Sequence, residues 1–231
     1  MDHEINQDLR IRVLMRTASM AWQASPSPKV WRKRLELQGP VEAGRVTAVV
    51  RYESDSEFPY HGHPQGEEIL VLEGTFGDEH GEYPKGTFLL NPEGFNHAPY
   101  SKEGCVLFVK LRQYPGFDRP HVEIPTDRLD WQAQGDVGRH VIKLFSDGEE
   151  NIRLTRLEGA TKIPRHEHPG GNEMFVLAGS IEDEHGRYEV GDWIRSPAGS
   201  IHQPWTEDGC VLYVKDGHLH GLSVRAAVES V

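Results

Sequence analysis

This sequence predicts an all-β protein built from two tandem barrels, and three observations carry the prediction. First, a shift of 105 residues aligns 46–110 with 151–215 without a gap, and 24 of the 50 positions from His61 to Lys110 are then identical. A period of that length is a whole domain rather than a solenoid unit. Second, each half breaks into short runs rich in β-branched and aromatic residues. Gly, Pro, Asn or Asp punctuate them at roughly ten-residue spacing, the rhythm of a small β-barrel or sandwich. Third, no segment sustains a 3.6-residue apolar period with caps at its ends.

Taken in order, "KVWRKR" (29–34) is a basic run, read as the solvated face of a strand. Strands are then expected over 45–52 "RVTAVVRY", 67–76 "EEILVLEGTF", 86–92 "GTFLLNP" and 105–111 "CVLFVKL". "GDEHG" forms the turn of a hairpin between the second and third of these. Trp22-Gln23-Ala24 returns as Trp131-Gln132-Ala133, so the repeat reaches upstream of the best-matched region. The break falls in "YPGFDRPHVEIP" (114–125), whose proline and glycine suit a linker. The expected domains are therefore 1–118 and 119–231.

The chain has 231 residues, 37% hydrophobic and 26% charged, the balance of a globular protein with a proper core. No apolar run approaches the roughly 18 residues that span a bilayer, and "MDHEINQDLR" lacks the basic-then-apolar pattern of a signal peptide. Neither a membrane nor an export route is expected. Cys105 and Cys210 are the only cysteines, too few for a disulfide framework, so a reducing cytoplasm is the default. They occupy matching positions in different halves and open apolar strands, where a small buried residue is the usual explanation. A net charge of −11 argues against non-specific nucleic-acid binding. Lys110 and Lys215 are expected to end their strands at the surface. "GHLHG" (217–221) reads as a tail.

The chemistry sits in "HGHPQGEEILVLEG" (61–74) and its echo "HEHPGGNEMFVLAG" (166–179). On a strand, residues two apart point the same way. His61 and His63 thus aim two imidazoles at one point, and His166 and His168 do the same. "PQG" bends the chain and brings a glutamate, Glu67 or Glu68, back toward that point. A third histidine, His97 or His202, lies 34 residues on, after a Pro-x-Gly turn. Three imidazoles and a carboxylate suit zinc, iron, nickel, copper or manganese. Alternating surface histidines explain a lone HxH, but not a constellation repeated in register. His80 and His185, in the "DEHG" turns, lie off this spacing and are read as turn residues.

These residues carry a family resemblance. "HGHPQGEEILVLEG" resembles the first cupin motif, HxHx(3–4)Ex(6)G. "GTFLLNPEGFNH" and "GDWIRSPAGSIH" resemble the second, Gx(5)PxGx(2)H. Ser101 and Thr206 stand where the second motif usually ends in asparagine. Asp55 and Ala160 stand where the first motif begins with glycine. "WQASPSPKVWRKRL", "GEEILVLEGTFGDEHGEYPKGTFLLNPEGFNHAPYS" and "GCVLFVKLRQ" are similar to the cupin domain of ChrR-type anti-sigma factors. The resemblance implies two double-stranded β-helix (jelly-roll) barrels and a zinc site on His61, His63, Glu67 and His97. Ex(6)G spacing to Gly74 favours Glu67 over Glu68. The same register puts Asn172 at the matching place in the second half, with Glu173 opposite Glu68. The second site is then His166, His168 and His202 without a clear carboxylate, and it is expected to bind metal more weakly.

Two functions follow from the resemblance. One is a regulatory or sensory metal-binding bicupin that responds to a small molecule or an oxidant. In the ChrR family a helical zinc-binding domain grips the sigma factor. A second cupin stands in its place here, which argues against a sigma-factor partner. The alternative is a non-haem dioxygenase that cleaves a β-diketone or a hydroxyacetophenone-like substrate. Zinc is the first expectation for the metal, with iron, nickel or manganese as other candidates. A small-molecule ligand and a homodimer are the expected partners.

Overall fold

The structure, a computed structural model, describes residues 4–135 and 138–219. Its regular structure is antiparallel β-sheet with two short 3-10 turns. No helix among the described residues is long and apolar enough to cross a membrane.

The chain forms two compact units that exchange segments. The first holds residues 1–7 and 20–129, the second 8–19 and 130–231. In the first, the main sheet runs in the order Val122–Pro125, Thr87–Asn91, Glu67–Gly77, Cys105–Leu111, Arg45–Tyr52, Val30–Gln38, Gln23–Ala24. The second repeats it with Val13–Arg16, Asp192–Ser196, Asn172–Asp183, Cys210–Asp216, Glu150–Leu157, Arg139–Asp147, Gln132–Ala133. Val13–Arg16 thus pairs with Asp192–Arg195, and Val122–Pro125 with Thr87–Leu90. Each repeat lends its opening strand to the other repeat's unit. The cut at 118/119 follows the duplication in sequence, whereas the compact units do not follow it.

The four strands expected in the first half are present at nearly the expected limits. The segment read as a linker differs. Tyr114 is buried and its N–H donates to the Gln65 carbonyl, while Val122–Pro125 is sheet. Val-Glu-Ile-Pro is extended by nature and ends in a residue that can only close an edge. The basic run also differs from its expected solvated face. Val30–Gln38 is a largely buried strand, and Arg34 is 8% exposed, held by Gln23 and Glu42.

Lys110 and Lys215 are buried, at 0% and 1% exposure, rather than at the surface. Alternation places them on the sheet face opposite the barrel interior. There Lys110 Nζ donates to Thr47 Oγ1 at 2.9 Å and Lys215 pairs with Glu150 at 2.9 Å. A buried ammonium persists only with such partners. Cys105 and Cys210 are buried and unpaired, and burial pushes both thiols up to about 11. That suppresses the thiolate on which redox sensing depends.

Asp55 and Ala160 adopt positive φ, 53° and 57°. Both occupy the position where the first motif begins with glycine, and both turns close on a backbone bond, Asp55 to Lys102 and Ala160 to Glu207. An alanine held left-handed costs roughly 1–2 kcal/mol, partly offset by glycine's larger unfolded-state entropy. Ala160→Gly is therefore expected to raise stability by about 0.5–1 kcal/mol in denaturant unfolding. A lower midpoint would show that the side chain outweighs the backbone strain.

Candidate metal centre

In each barrel a two-stranded ribbon carries the histidines. Asn96–His97 pairs with His61–Gly62, and His166–His168 pairs with Ser200–His202. His97 lies directly opposite His61, and His202 opposite His166. Two-residue alternation then adds His63 and His168 on the same side. One ring nitrogen from each of His61, His63 and His97 falls within 4.8 Å of the others, as it does for His166, His168 and His202. His63 Nε2 lies 2.9 Å from His97 Nε2, and His168 Nε2 lies 3.1 Å from His202 Nε2.

The outer nitrogens are also engaged. His61 Nδ1 bonds the Pro59 carbonyl and His166 Nδ1 the Pro164 carbonyl, both at 2.8 Å. His97 Nδ1 bonds Asp78 at 3.0 Å, His202 Nδ1 bonds Asp183 at 3.2 Å, and His168 Nδ1 bonds Asp216 at 3.0 Å. Carbonyls and carboxylates only accept, so these nitrogens carry the protons and the Nε2 lone pairs converge. Converging lone pairs held by outer acceptors fit a cation, since metal-ligating histidines are oriented in this way.

Glu67 joins the first cluster. Its Oε2 lies 3.4 Å from His63 Nε2 and 3.7 Å from His97 Nε2, and Asn91 Nδ2 donates to it at 2.9 Å. Glu68, in register with Lys110, points to the other face. The preceding turn needs glycine: Gly66 has φ +72°, and a Cβ there would sit 2.4 Å from the Tyr114 carbonyl. In the second barrel Asn172 occupies the matching position, but its Nδ2 donates to Asp216 at 2.7 Å. Glu173 faces away and is bonded to Trp193 and His218. His218 and Leu219 are thus packed parts of the barrel rather than a tail, and His220 and Gly221 lie outside the described residues.

The electrostatics divide the imidazoles. Burial lowers the His63 and His166 pKa values. It also works to lower His97, but the hydrogen bond to Asp78 and the charges of Glu67 and Asp78 outweigh it and raise its pKa. Burial works to raise Asp183, but hydrogen bonds from His202, Tyr188 and the His185 amide outweigh it and hold the carboxyl at about 2. Arg12, from the exchanged opening segment, adds an ion pair to Asp183 at 3.2 Å. Asp78 is likewise held below the usual carboxylate range: burial opposes this, while His97 and the His80 amide favour it. His80 and His185 serve the turns through their amides. The outer carboxylates Asp78, Asp183 and Asp216 lie outside the motif that marks the histidines. Two of them lie in "DEHG", whose identity in both halves was the available signal.

Beside each cluster lies a cavity. The first, of about 100 Å³, is lined by His61, His63 and Glu67 and by apolar and aromatic groups such as Tyr52, Phe58, Phe76 and Leu107. The second, of about 50 Å³, is lined by the triad His166, His168, His202 and by Met174, Leu212 and Val214.

Two double-stranded β-helix barrels, each with a three-histidine cluster at its cavity, define a bicupin suited to divalent metal ions. The chain belongs to the family described as the ChrR cupin-like domain, whose model matches residues 10–115 and 120–220. No curated protein matches the sequence. Solved structures with the same fold include a candidate dioxygenase from Nostoc punctiforme, 17% identical, with a TM-score of 0.75, covering 91% of this chain and 84% of that one. YlbA from E. coli is 16% identical with a TM-score of 0.68, covering 91% and 93%. A mutant of Bacillus subtilis oxalate decarboxylase OxdC is 13% identical with a TM-score of 0.63, covering 95% and 79%.

Proposed function

We propose that this chain is a metal-dependent oxygenase whose first barrel acts on a small, largely apolar molecule of the β-diketone or hydroxyacetophenone type. One observation carries the reading: an apolar and aromatic cavity of about 100 Å³ opens directly on His61, His63 and Glu67. A closed four-ligand site needs no such space, whereas a site that binds substrate keeps a position open beside it. A divalent metal held by His61, His63, Glu67 and His97 would supply Lewis acidity and a place for oxygen and substrate to meet. The chain's own residues supply the rest. Asp78 and the Pro59 carbonyl fix two imidazoles, Asn91 fixes the carboxylate, and Phe58, Phe76 and Leu107 exclude water around the bound molecule.

A second reading is regulatory: a zinc-loaded bicupin that senses a small molecule or an oxidant. The family description supports it, because both halves match the ChrR cupin-like domain. Elemental analysis of the full chain purified without added metal, paired with oxygen uptake on acetylacetone and 4-hydroxyacetophenone, separates the two. Iron and metal-dependent uptake are expected. Zinc with no uptake on either compound would overturn the oxygenase in favour of the sensor.

A further inference from the structure

The repeat makes the two barrels each other's control. Four matched positions in or beside the cavities differ in chemistry. Val30 and Arg139 are equivalent through their partners Tyr52 and Leu157, which stand 105 apart. The same shift matches Ala48 with Arg153, Glu67 with Asn172, and Leu111 with Asp216. The second barrel has thus exchanged an inward carboxylate and three apolar side chains for two guanidiniums, an amide and a carboxylate placed behind His168.

Asp216 is fully engaged. It pairs with Arg153, accepts from His168 Nδ1 at 3.0 Å and accepts from Asn172 Nδ2 at 2.7 Å. Those contacts leave Arg139. It lines the second cavity, yet its side chain makes no hydrogen bond or ion pair among the described residues, and its Nε is buried without a partner. Burial works against its charge, and so does Arg153 beside it, with the charge of Asp216 offsetting them only in part. Asn172 Oδ1 is likewise buried without a partner. The charged groups that line the inner space are Arg139 and Arg153, with the carboxylates Asp216, Glu149 and Glu167 confined to the wider space outside it, whereas Arg32 and Glu67 both line the first cavity. A partly desolvated guanidinium without a hydrogen-bonded partner is costly unless something completes it. The group that completes a guanidinium with two parallel hydrogen bonds is a carboxylate.

We propose that the second barrel's cavity binds a small carboxylate, its oxygens held by Arg139 with Arg153 alongside and its short carbon chain packed against Met174, Leu212 and Val214. The cavity's shape agrees. Arg139, Arg153, His166 and His168 stand where the apolar space of about 50 Å³ meets a wider space of about 470 Å³ whose other charged groups are Glu149, Glu167 and Asp216. The charged head thus sits at the junction and only a short chain fits inside. The site goes beyond the catalysis proposed for the first barrel. It stands whether or not His166, His168 and His202 hold a metal, because Arg139 belongs to neither role.

The test uses the full chain after chelator treatment, so that a metal cannot be what holds the probe. Pyruvate is expected to bind saturably by calorimetry and to raise the melting temperature, while the uncharged methyl pyruvate does neither. Arg139→Gln is expected to weaken pyruvate binding about tenfold to a hundredfold, the worth of a charged hydrogen bond. It should leave the ligand-free melting temperature unchanged or higher, because no partner is left unpaired. Arg139→Lys should keep part of the affinity, and Arg139→Val, which copies the first barrel's Val30, should match Arg139→Gln. Equal binding of pyruvate and its ester, undiminished binding in Arg139→Gln, or no binding by the native chain would each overturn the proposal. Metal content measured on the untreated protein reports separately on the metal reading.

Discussion

A chain carrying both His61→Ala and His97→Ala is expected to lose the metal of the first barrel and to keep that of the second. These substitutions remove two of the four groups that converge there, and removing even an outer partner of a ligand costs roughly 10–100-fold in affinity. The loss should therefore exceed about a hundredfold, read by competition with a chromogenic chelator, and bound metal per chain should fall by the first barrel's whole share. An unchanged stoichiometry would remove the first site. Glu67→Gln and Glu68→Gln refine the result. Glu67 Oε2 stands 3.4 Å from His63 Nε2, whereas Glu68 lies on the opposite face in register with Lys110. Glu67→Gln should weaken binding and Glu68→Gln should not, since an amide keeps the oxygen donor but no longer compensates the cation's charge. The reverse pattern would exchange their roles. For the same reason Asn172→Glu should strengthen the second site, unless the new carboxylate is drawn to Arg139 or Arg153.

Gly74→Ala is expected to destabilise the protein by more than about 3 kcal/mol, a size that comes from backbone clash and not from lost packing. Gly74 has φ +67°, and a Cβ there would fall 2.0 Å from the Gly104 carbonyl; its repeat partner Gly179 has the same φ and a 2.1 Å approach to Gly209. Both sit opposite a cysteine, Cys105 or Cys210, one residue before the partner strand slips register by a bulge. The glycine ending the first cupin motif is therefore what allows two strands to close on each other at the bulge. Gly135→Ala is the control, since Gly135 also has positive φ but nothing lies within 4 Å of its would-be Cβ. It should cost only about 1 kcal/mol. In thermal unfolding, an equal cost for the two variants would reject the clash.

What the sequence reveals divides along physical lines. The histidine clusters are legible because strand alternation and two-residue spacing are local rules, and because the repeat supplies a second copy. The choice between Glu67 and Glu68 is legible only through the motif, since both are buried and adjacent. Asp216 and Arg139 are not legible as site residues. Each sits in a different strand from the histidines, so their proximity is set by sheet order, which no local pattern encodes. Lys110 and Lys215 mislead for a related reason: a lysine near the end of an apolar strand usually reaches water, and only tertiary partners such as Thr47 and Glu150 allow it to stay inside. Val13–Arg16 is not legible as a strand, because "VLMR" is four residues of mixed pattern whose strand state depends on a partner some 180 positions away.

That separation has a consequence for how the molecule is made. A ribosome adds roughly 5–20 residues per second, so the partner of Val13 emerges on the order of ten to forty seconds after Val13 itself. During that interval residues 20–129 can form their sheet, sealed at one edge by Val122–Pro125, while the segment 8–19 stays out as an uncommitted, partly apolar arm. Arg12 travels on that arm, so Asp183 receives its guanidinium partner only when the arm returns. A segment translated before the first barrel thus completes the second, and a change made within residues 8–19 would act there, far along the chain from where it was made.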